Sequence, residues 1–297
     1  MTLSENEADL QADTPCVNVE ALRRDLVELG PYRRFIHKTT TSSTNADLLA
    51  AVDTDIAPIP DWTVEVADYQ SAGRGRLGRT WTAARGTQAT VSVLLSLSDK
   101  EIERGLVEHA PLLPMLVSLA VVDVLHATFP EQAEQAKVKW PNDVFFDGKK
   151  LSGILCEART VHGRPHFVVG VGLNTTMTAD ELPVPTATSI ALIAEQLGVE
   201  LEADIHEIIV RRLILALYRR IAEWRNYTDD QDELLAAYRA ASQTLGSEVR
   251  LILPTTGSLE GEVITGTCVD FDSAGHIIIE NSEGRHSYAA GDVEHLR

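Results

Sequence analysis

The 297-residue chain has little of what would fix its chemistry at once. Its three cysteines, Cys16, Cys156 and Cys268, are far apart and form no Cys-x-x-Cys pair, which argues against a disulfide framework and a cysteine-based zinc site. Cys156 sits in the apolar run Ile154-Leu155-Cys156 and reads as a buried, inert thiol. Lys and Arg number 26 against 44 Asp and Glu, for a formal net charge of −18, so a nucleic-acid groove is not expected. No apolar run is long and uninterrupted enough to cross a bilayer, and Met1 to Glu7 lacks the basic opening of a secretory leader. A cytoplasmic protein without membrane contact is expected. No Gly-x-x-x-x-Gly-Lys-[Ser/Thr] phosphate loop is found, and Gly163 and Pro165 keep His162 and His166 off any helix that could pair them on a metal.

Against this acidic background stands Gly73-Arg74-Gly75-Arg76-Leu77-Gly78-Arg79, with three arginines and three glycines in seven residues. Arginine offers a fixed fork of donors for phosphate or carboxylate, and glycine lets backbone approach a ligand, so the run reads as an anion clamp. Its Gly-x-Gly-x-x-Gly spacing follows a strand, but Thr80 to Gly86 lacks helical apolar spacing and runs into another strand, which argues against a dinucleotide site.

Periodicity predicts a helix over Val17 to Leu29, stopped by Gly30-Pro31, and a second after a capping-box-like start in which Thr44 stands three before Asp47. Strands are expected at Trp62 to Ala67 and Thr90 to Leu97, then a helix from Leu112 to Phe129. Short strands at Lys137 to Trp140 and Asp143 to Phe146, with Leu151 to Ala158 and Phe167 to Leu173, form a meander. Helices follow at Ser189 to Leu197, Ile205 to Trp224 and Glu233 to Leu245. After Gly246 the chain changes to short β-prone runs (Val249 to Leu253, Glu262 to Val269, His276 to Ile279, Arg285 to Tyr288) with turns at Thr256-Gly257, Ser273 to Gly275 and Glu283-Gly284, the pattern of a small barrel. Residues 1–15 read as a disordered tail, 16–245 as one large domain and 246–297 as a second.

Lys139 precedes Trp140-Pro141-Asn142-Asp143; Lys, Asn and Asp so close together can serve phosphate, ligand and Mg²⁺, or simply end a strand. Gly153, Gly170 and Gly172 interrupt apolar strands, either as bulges and tight packing or as a wall without side chains for a flat ligand.

Five motifs in this order, Ser43-Thr44-Asn45, Gln70 with the glycine-arginine run and Trp81, Lys139 to Asp143, Lys150-Leu151-x-Gly153-Ile154-Leu155 and Gly170-x-Gly172-Leu173-Asn174, resemble the biotin protein ligase family over roughly residues 36–297. The resemblance implies an α+β fold, with a mixed-sheet catalytic domain and a small C-terminal SH3-like β-barrel. It implies a two-step reaction: biotin and MgATP give biotinyl-5′-adenylate and pyrophosphate, and the acyl group passes to a lysine of a biotin carboxyl carrier protein.

By the same resemblance Ser43, Thr44, Asn45 and Gln70 bind biotin, with Gly73, Arg74 and Gly153 close to it. Arg76, Arg79, Trp81, Lys139, Asn142, Gly172 and Asn174 serve ATP and the adenylate. Lys139, Arg76 and Arg79 carry the catalysis, because the repulsion between the carboxylate and the α-phosphate has to be offset by fixed positive charge. Asp143 can bind Mg²⁺, orient Lys139 or cap a turn. Only about 35 residues precede the catalytic motifs, too few for the winged DNA-binding domain of some members, so a ligase without repressor activity is expected, as monomer or homodimer. The rival readings are a lipoate or octanoate ligase or transferase of the same fold, and a non-catalytic biotin-responsive regulator.

Overall fold

The computed structural model describes residues 14–54, 59–226, 233–254 and 262–296. Most of the tail expected at residues 1–15 and the turn at Thr256-Gly257 lie outside them. In chain order the regular elements are α1 (Val19–Arg23), β1 (Arg34–Lys38), α2 (Thr44–Val52), β2 (Thr63–Ala67), β3 (Gln88–Ser96), α3 (Asp99–Glu103), α4 (Leu113–Thr128), β4 (Ala136–Lys139), β5 (Asp143–Phe146), β6 (Lys149–Val161) and β7 (Arg164–Asn174). There follow α5 (Ile190–Leu197), α6 (Ile205–Arg225), α7 (Glu233–Ala241), β8 (Glu248–Ile252), β9 (Val263–Phe271), β10 (Ile277–Asn281), β11 (Gly284–Tyr288) and β12 (Asp292–His295). The chain divides into two compact units, Met1–Leu97 with Leu155–Leu215, and Ser98–Ile154 with Ala216–Arg297.

In the first unit the strand order is β1, β2, β3, β7, with the later part of β6 beyond β7. β1 and β2 run parallel, whereas β2 with β3 and β3 with β7 run antiparallel, which makes the sheet mixed. Helix α2 starts where Ser43 Oγ caps the backbone N–H of Ala46 at 3.4 Å. The cap is therefore Ser43, and Asp47 falls one place too late for the capping box expected from Thr44. Asp47 instead takes the hydroxyl proton of Thr41 and the Lys38 ammonium, the latter at 2.7 Å. Leu48 and Leu49 of α2 pack on Leu94 and Val168, with Ile36, Val52 and Ile59 around them; truncating such a leucine typically costs about 2–5 kcal/mol. The helix expected over Val17 to Leu29 is α1 followed by a π-turn at Arg24–Glu28, closed by Leu29 N–H on the Arg24 carbonyl at 2.9 Å.

In the second unit β4, β5 and the first residues of β6 form an antiparallel meander. Helix α4 packs on β4 and α7. Contrary to the sequence reading, Ala110–Thr128 is long and apolar enough to cross a membrane; 67% of it is buried in the protein, as a core helix would be. Its acidic residue, Asp123, is held by two hydrogen bonds from Arg220, both 2.8 Å. Helix α7 stops at Ala241, four residues before the expected Leu245, because Ser242 Oγ accepts from the N–H groups of Thr244 and Leu245 and turns the chain. The C-terminal strands form an antiparallel sheet of the SH3-like type, ordered β11, β10, β9, β8, β12.

Candidate functional site

The parallel pairing of β1 and β2 continues past both strands. Thr41 N–H donates to the Tyr69 carbonyl (3.0 Å), Ser71 N–H to Thr41 (2.9 Å) and Ala72 N–H to Ser42 (3.0 Å). This register sets the start of α2 beside Gln70. Gln70 Oε1 accepts from Thr44 N–H at 2.9 Å and lies 3.2 Å from Thr44 Oγ1, so the orientation of its amide is fixed with the NH₂ group as outward donor. Thr44 Oγ1 is 2.7 Å from Ser92 Oγ, which donates to Asn45 Oδ1 at 2.7 Å. Asn45 Nδ2 donates to the Leu155 carbonyl at 3.1 Å and to Glu157 Oε2 at 2.8 Å. All the hydrogen-bonding sense of the buried Asn45 is thus spent inside the protein, where it fixes strands rather than presenting an atom outward. Gly170 makes room for it: a Cβ there would lie 2.3 Å from Asn45 Oδ1.

The glycine-arginine run folds back on itself as a narrow hairpin. Gly75 N–H donates to Arg79 at 2.7 Å and Trp81 N–H to Gly73 at 2.9 Å, with Arg74 bridged to Thr80. Leu77 (φ 54°) and Gly78 (φ 72°) turn the tip, and Leu77 is 60% exposed there; left-handed backbone is costly for a leucine. Arg74 Nη2 reaches Glu157 Oε2 at 3.3 Å. Arg79 is exposed, while the positive charge of Arg76 partly offsets the burial that pushes the Cys156 thiol up to about 12. That pKa keeps the thiol protonated, although Cys156 is half-buried rather than fully buried as its apolar run predicted. The Trp81 indole lies against Gly172, where a Cβ would come within 2.3 Å of Nε1. The two strand glycines therefore admit protein side chains, Asn45 and Trp81. At the end of β7, Asn174 accepts from Gln88 Nε2 (3.1 Å) and donates to the Thr188 carbonyl (2.8 Å).

Two buried carboxylates, Asp68 and Glu65, lie in the same unit. Asp68 accepts from Cys16 N–H (3.1 Å) and Arg85 (3.3 Å) and pairs with His37 Nε2 (2.9 Å). Gly86 N–H returns to the Asp68 carbonyl at 2.9 Å, so the loop between β2 and β3 leaves and re-enters the sheet at one place. Glu65, 2% exposed in the middle of β2, lies 3.5 Å from Lys38 Nζ. Burial and the nearby Asp47 push its carboxyl up to about 8 against the opposing pull of Lys38.

In the second unit Lys139 and Asp143 are paired across the β4–β5 hairpin, and Gly153 stands opposite Asp143 on β6. Lys139 Nζ is 5.9 Å from the centre of the Phe145 ring. Burial, helped by the like charge of Lys150, holds the Lys139 ammonium below the usual lysine range, while Asp143, Glu294 and Asp292 work against that shift. Asn142 Nδ2 donates to the Ile154 carbonyl at 2.7 Å and Ile154 N–H to Asn142 at 2.9 Å. Trp140 is anchored through its N–H to Thr244 Oγ1 (3.2 Å) and its indole N–H to the Gly275 carbonyl (3.1 Å); Thr244 also lies 3.3 Å from His295 Nε2. The Asp143 carboxylate is held by Lys150 Nζ at 2.8 Å, and no three of His, Cys, Asp and Glu converge among the described residues.

The structure gathers Ser43, Thr44, Asn45, Gln70, Gly73, Arg74, Trp81 and Gly172 in one polar cluster with the Arg76–Arg79 hairpin and Asn174 in the same unit. It gathers Lys139, Asn142, Asp143 and Gly153 in another. Sequence reasoning passed over Ser92 and Glu157 in the first and Thr244 and His295 in the second. Ser92 left a signal: it is polar in the middle of a strand whose first eight residues are all buried. Glu157 left less, as an acid closing the apolar run of β6.

Residues 34–174 match the biotin/lipoate A/B protein ligase family, and residues 244–296 match the biotin protein ligase C terminal domain. The biotin--[acetyl-CoA-carboxylase] ligase of Mycobacterium tuberculosis is 36% identical over 95% of this chain and 97% of its own length. The bifunctional ligase/repressor BirA of Bacillus subtilis is 25% identical over 79% of this chain, which spans 66% of that relative. Among solved structures, the Aquifex aeolicus biotin protein ligase in complex with biotin and ATP is similar with a TM-score of 0.65 and 25% identity, covering 90% of this chain and 100% of that one.

Proposed function

The chain belongs to the biotin/lipoate A/B protein ligase family, and from that premise we infer that it activates biotin with ATP and attaches it to a lysine of a carboxylase's biotin carrier domain. The observation that carries this reading is 36% identity along nearly the whole of both chains to a biotin--[acetyl-CoA-carboxylase] ligase. The geometry supplies the chemistry. The Thr44–Gln70 pair, with Ser43 and the backbone around Gly73, presents oriented donors and acceptors suited to a small polar ring such as the biotin head.

In the first step a carboxylate oxygen of biotin attacks the α-phosphorus, and the bond to the β-phosphate breaks with its electrons leaving on pyrophosphate. Both partners are anions, so the step needs fixed positive charge. We assign Lys139 to bridge carboxylate and phosphate, and Arg76 and Arg79 to the phosphates, with Trp81 on Gly172 as the packed side of their hairpin. Asn45, Asn142 and Asn174 act by holding strands and turns in place. Mg²⁺ belongs with the nucleotide in this scheme. Asp143, whose Oδ1 pairs with Lys150, would offer its other carboxylate oxygen to the ion.

In the second step the neutral amine of the acceptor lysine attacks the acyl carbon, AMP leaves with the bonding electrons, and the amine gives up a proton. Because the mixed anhydride hydrolyses readily, closure of the arginine hairpin over it protects it from water.

The test is pyrophosphate exchange into ATP with biotin, lipoate, octanoate or no acid. Exchange with biotin alone is the expected result. Exchange with lipoate or octanoate alone moves the chain to the other branch of its family, and none with any acid removes the ligase reading.

A further inference from the structure

We propose that Glu157 and Ser92 are positioning residues that lock the ligand cradle by closing a hydrogen-bond circuit around it. The circuit runs from Gln70 to Thr44, Ser92, Asn45, Glu157 and Arg74. Its first and last members are four residues apart on the same segment, so Gln70 to Arg74 is held at both ends. The tip at Arg76 to Gly78 lies outside the circuit and can move without disturbing Gln70. The inference rests on the reading of this cluster as the acid-binding cradle.

The protons decide the direction of the circuit. Thr44 and Ser92 have one hydroxyl proton each for three contacts: 3.2 Å to Gln70, 2.7 Å between the hydroxyls, and 2.7 Å to Asn45. The two short contacts take them, Thr44 to Ser92 and Ser92 to Asn45 Oδ1, because Asn45 Oδ1 would otherwise lack this donor. Gln70 Oε1 is then satisfied by the Thr44 backbone, and Asn45 is left with both amide protons to donate, one to Leu155 and one to Glu157. Only an acceptor fits at the Glu157 atom, and a carboxylate can also draw in the Arg74 guanidinium.

The ion pair itself is half exposed, with side-chain accessibilities of 46% for Arg74 and 24% for Glu157. Pairs of that kind contribute little to global stability, so the effect of Glu157 should appear in the placement of the segment, not in folding.

Glu157→Gln keeps the shape and an acceptor for Asn45 but removes the charge. In the ligand-free protein, limited trypsin cleavage mapped by mass spectrometry should then speed up about tenfold after Arg74 relative to Arg79. That readout needs no ligase activity, so it separates this inference from the functional reading. In pyrophosphate exchange the KM for biotin should rise about tenfold in Glu157→Gln and in Ser92→Ala, with kcat within about twofold, and Arg74→Ala combined with Glu157→Gln should be no worse than the worse single variant. An unchanged Arg74-to-Arg79 cleavage ratio, additive effects in the double variant, or a loss confined to kcat would overturn the proposal.

Discussion

The two clusters hold their functional side chains by opposite means. In the first unit hydroxyls, amides and backbone groups, with Glu157 as the one carboxylate among them, fix Gln70 and Asn45 through contacts of 2.7 to 3.1 Å. In the second, burial pushes the Lys139 pKa down, and charges of both signs adjust it, with Asp143, Glu294 and Asp292 opposing that shift and Lys150 adding to it. Hydrogen bonds have direction and short reach, so the first arrangement suits the recognition of shape. Charges act over a longer range with little angular demand, so the second suits the tuning of a proton or the stabilisation of an anion.

The sharpest way to break this division is Lys139→Ala. Removing one fixed donor to a developing charge costs on the order of 10²- to 10³-fold in rate, and biotin-dependent pyrophosphate exchange should fall by that much while equilibrium binding of biotin, followed by calorimetry, stays the same. Equal loss of both would show that Lys139 helps to shape the cradle. Next in size is Gly172→Ala, whose new Cβ would meet the Trp81 indole at 2.3 Å. Overpacking of this kind costs about 1–3 kcal/mol, to be read from urea denaturation, and it should raise the KM for ATP.

Glu65 is a buried ionisable group of the first unit, paired with Lys38, and it supplies a pH test. Its folded pKa is raised from an ordinary 4.5 to about 8, so between those values the unfolded chain gives up a proton that the folded chain keeps. Its contribution to stability is full below pH 4.5 and is lost progressively as pH rises toward 8, at up to about 1.4 kcal/mol per pH unit. Glu65→Gln should flatten the pH dependence of chemical denaturation across that window; an unchanged slope would mean that Glu65 is ionised in the folded protein.

The smallest effect is expected from Lys150→Met. Removing a like charge and releasing Asp143 both favour the protonated Lys139, so the alkaline limb of the exchange rate should move to higher pH. A shift to lower pH would contradict the electrostatic account of this cluster.

Periodicity marked most of the strands and helices because their buried faces are continuous. It missed β1, where the apolar Phe35 and Ile36 sit among Arg34, His37 and Lys38, and β12, whose single buried apolar residue is Val293. Both are edge strands, and strands with one covered side need little apolar sequence. Ser43, Thr44 and Gln70 stood out by motif, and the structure brings them together. The role of Asn45 as an internal tie was hidden, because its partners lie 47, 110 and 112 residues away. Hydrogen bonds of such separation leave no local pattern.

The hold of Asp68 on Cys16, Arg85 and His37 bears on how far the chain can be trimmed from its N-terminal side. Cleavage beyond residue 16 would remove the backbone donor that this buried carboxylate uses, at the place where the long loop enters and leaves the sheet. Asp68 would keep its contacts with Arg85 and His37, so the loop would be tied to the sheet by one hydrogen bond fewer.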